Sequence, residues 1–159
     1  MKRFILKNIV FLLLFLLHFE ARANVTSFST VTNLAFGSLQ IPTTSHYITI
    51  PSDGSTPTGT YIPIHNNFSN GQYLLIGDPA VDNSLSIDIQ NITTGSASLT
   101  LSNFTGIYDG TTITSFPVTG LNTPDNNGLT LYLGAKLTYL NSIAEGSYSM
   151  SFTIVINFD

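Results

Sequence analysis

Cysteine and tryptophan are absent from the 159 residues, and Asp, Glu, Lys and Arg together make up only 9% of them. Without cysteine neither a disulfide framework nor a lipidated N-terminal cysteine can form, so packing of the core alone must hold the fold. Positive charge is scarcer still. Lys2, Arg3, Lys7 and Arg22 crowd the N-terminus, and Lys136 is the only cation beyond them. One cation cannot neutralise a row of phosphates, which excludes nucleic acid and anionic membranes as partners. No segment after the leader keeps a helical period, and no apolar run reaches the roughly 20 residues of a spanning helix.

What the N-terminus does have is the three-part pattern of a secretory signal: the basic start, an apolar run from Ile9 to Leu17, and small residues in Ala21-Arg22-Ala23. Cleavage is expected after Ala23, so residues 1–23 form a signal peptide and residues 24–159 a single exported domain, with no transmembrane anchor retained. The expected localisation is periplasm, cell surface or extracellular space. The mature part carries eight acids (Asp53, Asp78, Asp82, Asp88, Asp109, Asp125, Glu145, Asp159) against Lys136, a net charge of −7. Its solubility rests on Ser, Thr and Asn.

Apolar and polar residues alternate in short runs punctuated by Gly, Pro, Asn and Asp, the mark of strands. Strands are expected over 47–50, 61–65, 72–76, 85–89, 98–101, 112–118, 129–133, 135–140 and 148–158. Turn-rich stretches separate them at 52–59, 66–71 and 122–128. In Leu129, Leu131, Leu133, Gly134, Ala135, Leu137 and Tyr139 the alternation runs through a glycine, which predicts a bulge or bend in one long strand. About seven to nine short strands at this spacing predict an all-β two-sheet sandwich.

Signals for chemistry are thin. Nucleophilic catalysis needs a base and a group to orient it, but the mature chain offers only His46 and His65, both at strand ends, and no Gly-x-Ser-x-Gly elbow. Asp78 and Asp82 stand in turn contexts, and Asp88 belongs to the wet face of its strand. Asp125-Asn126-Asn127-Gly128 reads first as a turn and lacks the ligand spacing of a calcium loop. Two separated histidines and no cysteine do not make a zinc site. No catalytic residue, metal or cofactor is expected.

The last strand carries the strongest pattern. Tyr148, Met150, Phe152, Ile154, Ile156 and Phe158 fall on one face, and Ser149, Ser151, Thr153, Val155 and Asn157 on the other. Such a face must be covered by the domain or by a partner, or the strand becomes a template for pairing. With the penultimate aromatic Phe158 and with Gly146 fourteenth from the end, this strand resembles the C-terminal motif of bacterial chaperone-usher fimbrial subunits. The resemblance implies association with a further copy or a periplasmic chaperone through residues 146–158, with Val25, Phe28 and Val31 as candidates for an opposing N-terminal contact. Over nearly the whole mature chain, Leu34-Ala35-Phe36-Gly37, residues 131–137 and Gly146-Ser147-Tyr148 resemble a family of exported bacterial domains of unknown function. That likeness implies an immunoglobulin-like sandwich related in style to pilins and spore-coat proteins. The function expected is non-enzymatic, structural or adhesive, of the fimbrial-subunit type; its rival is a self-contained module binding carbohydrate or calcium.

Overall fold

Every regular element among the described residues is a strand, as alternation without a helical period requires. The structure, a computed structural model, describes residues 25–41, 43–77 and 84–158. Twelve strands follow one another: β1 (Val25–Thr32), β2 (Ala35–Leu39), β3 (His46–Ile50), β4 (Thr58–Gly59), β5 (Pro63–Ser69), β6 (Gly71–Gly77), β7 (Ser84–Thr93), β8 (Leu99–Tyr108), β9 (Thr111–Ile113), β10 (Val118–Asn122), β11 (Leu129–Tyr139) and β12 (Ser151–Phe158). The expected signal peptide, residues 1–23, lies outside the described residues, as do Asp78, Asp82 and Asp159. No helix among the described residues is long and apolar enough to cross a membrane.

The larger sheet has seven strands and is organised around β11. Along one side β11 pairs with β8, from Leu131 opposite Tyr108 to Tyr139 opposite Leu99. Along the other side two strands share it end to end: β6 takes Leu129–Leu133 and β3 takes Ala135–Tyr139. β1 extends the sheet beyond β6, β4 beyond β3, and β9 beyond β8. A second sheet of three strands, in the order β10-β7-β12, completes a sandwich-like arrangement. Leu85 and Ile87 of β7 join Ile48, Leu75, Leu131 and Leu133 in one fully buried core. These are the inward residues of the alternating runs, so the period-2 pattern is the pattern of burial.

Gly134 marks the hand-over between β6 and β3. Gly71 lies opposite Leu133 and Ile50 opposite Ala135, so chain 50–52 leaves the sheet directly over Gly134. A Cβ at this position would lie 2.3 Å from the Ile50 carbonyl oxygen and 2.6 Å from the Ser52 nitrogen. Only hydrogen fits. The bulge that the sequence predicts here lies across the ladder, in β8, where the register shifts opposite Gly134–Lys136 and Asn103 takes φ 49°. The runs 129–133 and 135–140 form one long strand, β11, as the alternation through Gly134 predicts.

Other boundaries move for reasons of long-range pairing. β1 and β2 are additional to the expected strands. With β6 and β5 they form one bent ribbon, in which Thr32 lies opposite Gln72 and Ala35 opposite Ser69. The expected turn over 66–71 is thus largely strand, because β2 pairs with residues up to Ser69 and the Asn67 Oδ1 accepts the Ser38 N–H at 3.1 Å. The bend itself is at Asn70, whose Nδ2 donates to the Ser52 carbonyl at 2.7 Å. Within the expected turn 52–59, Thr58 and Gly59 pair with β3. The strand expected over 112–118 is broken into β9 and β10, since Pro117 has no N–H to give a ladder. The count of strands rises from nine to twelve, and the β2–β5 pair is a third, small sheet.

Three tyrosines sit in the core: Tyr73, Tyr108 and Tyr139. Burial penalises the phenolate and pushes all three above the ordinary value of 10.0. Groups with raised folded values stabilise fully below the unfolded value, and that contribution disappears as pH climbs through the folded ones. The urea midpoint is therefore expected to stay flat up to about pH 10 and to fall above it, together with phenolate absorbance. A Gly134→Ala variant is expected to lose ~3 kcal/mol or more in the same titration. Gly110→Ala, with φ 72° but nothing within 4 Å of its Cβ, should lose only about 1–2 kcal/mol.

Candidate functional site

Among the described residues β12 has one strand partner, β7. Its ladder runs from Ser151 opposite Thr93 to Phe158 opposite Leu85, and its other side meets no strand among the described residues. The strand starts three residues later than the alternation predicts, because β7 ends at Thr93 and offers nothing to pair with Tyr148–Met150. Gly146 is exposed in this lead-in, where a Cβ would make only ordinary contact with the Tyr148 ring at 3.9 Å, and the Tyr148 hydroxyl donates to the Ala144 carbonyl at 2.9 Å.

The inward face is covered by the domain's own sheets. Phe152 meets the edge of Phe104 at 5.2 Å and that of Tyr73 at 6.4 Å between centroids, and Tyr148, Met150, Ile154 and Ile156 pack against the same core. Phe158 contributes the last backbone pair. Ser151, Thr153, Val155 and Asn157 point outward; Thr93 and Ser151 share a hydroxyl hydrogen bond of 2.7 Å, and Asn91 donates to Thr153 at 3.3 Å.

What stays open is the edge. Its eight residues contain no charge and no proline, the usual means by which proteins blunt such a strand. The other edges differ. β4 and β9 are two and three residues long, and β10 follows Pro117 and carries a register shift with Gly120 at φ 71°. β1 is as long as β12 and likewise uncharged and without proline, but has two irregularities in its ladder where β12 has one.

The three N-terminal candidates all lie on β1, at the edge of the opposite sheet. Val25 pairs with Gly77 through its backbone; Phe28 and Val31 are 43% and 59% exposed. They form no ladder with β12. The link between the two termini is aromatic: Phe28 stacks on Tyr73 at 5.8 Å with 9° between planes, and Tyr73 touches Phe152. Tyr73 was legible as a strand residue in phase with Leu75, but its bridging place depends on which strands face each other.

The remaining polar candidates are spent locally. His46 opens β3, with its Nδ1 2.8 Å from the Thr44 carbonyl oxygen, while His65 stands exposed on β5 in a different sheet. Asp88 accepts from the Ile89 N–H and the Gln90 amide, and Asp109 accepts from the Asn122 amide at 2.6 Å. Asp53 and Asp125 each hold a turn, and hydrogen bonds from Ser55 and Asn127 keep their carboxyls below the ordinary value. No three His, Asp or Glu side chains gather in metal-binding fashion among the described residues.

Residues 26–158 match the model of a family described as a domain of unknown function, DUF4402, and the chain belongs to that family. No curated protein and no solved structure matches it.

The two faces of β12 predict two outcomes. Phe152→Ala removes the ring between Tyr73 and Phe104 and should cost ~3 kcal/mol in denaturant unfolding. Val155→Lys, on the outward face opposite Asp88, should stay within about 0.5 kcal/mol of the parent. Equal losses for both would mean that β12 does not divide into a core face and a free surface.

Proposed function

We propose that this member of the DUF4402 family is an exported, non-enzymatic protein of structural or adhesive type, an immunoglobulin-like, fimbrial-style subunit that associates through the edge of β12. The observation that carries the reading is that edge: eight residues, uncharged, without proline, and paired on one side only among the described residues. A strand of this kind recruits another by main-chain hydrogen bonds, with alternate side chains setting the register. The partner is a further copy of the chain or a periplasmic chaperone.

Two further features support it. The inner face of β12 is already seated on the core, so an added strand extends an existing sheet and need not rescue an incomplete one. The carboxylates described above hold turns or bond to neighbouring amides, which is the work of a scaffold.

The test is the state of residues 24–159 after export to a periplasm, by size exclusion with light scattering and by unheated denaturing gel electrophoresis. A detergent-resistant ladder is expected, and Val155→Lys should abolish it while leaving the melt intact, because a charge on the outward face blocks edge pairing. A wild-type monomer with a single cooperative melt would overturn the association.

A further inference from the structure

The turn between β10 and β11 contains a chemical liability that its geometry makes unavoidable. Gly128 has φ 80°, and a Cβ there would lie 2.8 Å from Leu74 Cδ1 and 2.9 Å from the Leu75 carbonyl oxygen, so no other residue fits. The residue before it is Asn127, exposed to water. An asparagine followed by glycine on a surface turn is prone to cyclise, since no side chain shields the glycine nitrogen. The Gly128 nitrogen loses its proton and bonds to Asn127 Cγ, while the Cγ–Nδ2 bond breaks and the nitrogen leaves as ammonia. Water then opens the succinimide at either carbonyl, leaving aspartate or isoaspartate at position 127.

We propose that Asp125 is a lock against this reaction and that position 127 is a latent modification site. Asp125 engages each group that the ring closure must move. The Gly128 N–H donates to the Asp125 carbonyl at 3.0 Å and to its Oδ1 at 3.1 Å. The Asn127 N–H donates to the same Oδ1 at 2.9 Å, and its side-chain Nδ2 to Oδ2 at 3.0 Å. The nucleophile is thereby turned toward one carboxylate oxygen and the leaving group is tethered to the other. Attack requires breaking bonds made to a charged acceptor, the stronger class of hydrogen bond.

The chain contains a second pair for comparison, Asn70–Gly71. There the asparagine is buried, donating to the Ser52 carbonyl at 2.7 Å and accepting from the Gln72 amide at 3.3 Å. Packing protects that pair; the exposed one depends on Asp125. The lock also guards a junction. The Asp125 carbonyl accepts the Gly77 N–H at 3.1 Å, at the end of β6 where Val25 of β1 is paired. A new carboxylate at position 127 would face that of Asp125 across the former hydrogen bond.

The experiment follows aspartate and isoaspartate at positions 70 and 127 by peptide mass spectrometry during incubation at mildly alkaline pH. Native wild-type protein is expected to convert Asn127 at least about tenfold more slowly than the same chain in denaturant, the order of one charge-assisted hydrogen bond. Native Asp125→Ala, which loses the carboxylate but keeps the backbone bond from Gly128, should convert Asn127 several-fold faster than native wild type while Asn70 stays protected, which shows that the variant is folded. If Asn70 also reacts in that variant, Asp125→Asn takes its place; it keeps one side-chain oxygen for the turn but loses the charge and the acceptor for the Asn127 amide, and should show a smaller acceleration confined to 127. Conversion of Asn127 in the native wild-type at the denatured rate would overturn the proposal. So would an unchanged rate in a folded Asp125 variant.

Discussion

The passage of chain 50–52 over Gly134 sets the geometry of the larger sheet, because it allows β6 and β3 to share one side of β11 without a gap. With β8 paired from Leu131 to Tyr139 on the other side, β11 has neighbours on both sides over most of its length, and its inward residues, Leu131, Leu133, Ala135, Leu137 and Tyr139, are all buried. A side chain at 134 would push β3 and its following loop outward and uncover that row. In a chain without a disulfide, this contact carries a share of the organisation that a cross-link would otherwise supply.

From that centre the structure becomes less complete toward its margins. The larger sheet has seven strands and the facing one three, and the outermost strand of the latter is β12. Its apolar side chains are anchored by Phe152 between Tyr73 and Phe104, so the strand is secured by its face and left open along its edge. Coverage of a face is a matter of hydrophobic burial, whereas completion of an edge is a matter of hydrogen bonds. β12 satisfies the first requirement within one chain, and no described strand meets the second on its outer side.

Much of this was legible in the sequence where the information is local. The alternation of β3, β6, β7 and β11 matches their burial, Gly134 marks a real hand-over, and the inward row of β12 is the row that alternation selects. What the sequence hid is set by partners distant along the chain. Val25, Phe28 and Val31 stand three residues apart and give no period of two, yet β1 forms because β6 offers it an edge. Asn66 and Asn67 suggest a turn, yet the ladder with β2 recruits them into β5. That the edge of β12 is free likewise could not be read from residues 151–158. It depends on β7 having β10 on its far side and on no described strand lying beyond β12.

The two ends of the domain lie at one pole of the sandwich. Val25 is beside Gly77, Phe158 is beside Leu85, and the two neighbourhoods meet through the Gly77 N–H on the Asp125 carbonyl and through Asn122 opposite Ser84. A force pulling these ends apart would therefore peel β1 from β6 and β12 from β7 one rung at a time, the weakest way to load a ladder. A pull transmitted along β12 into an added strand would instead shear every rung together. The same fold would thus yield more easily to tension applied at its termini than to tension carried in shear along a strand paired with that edge.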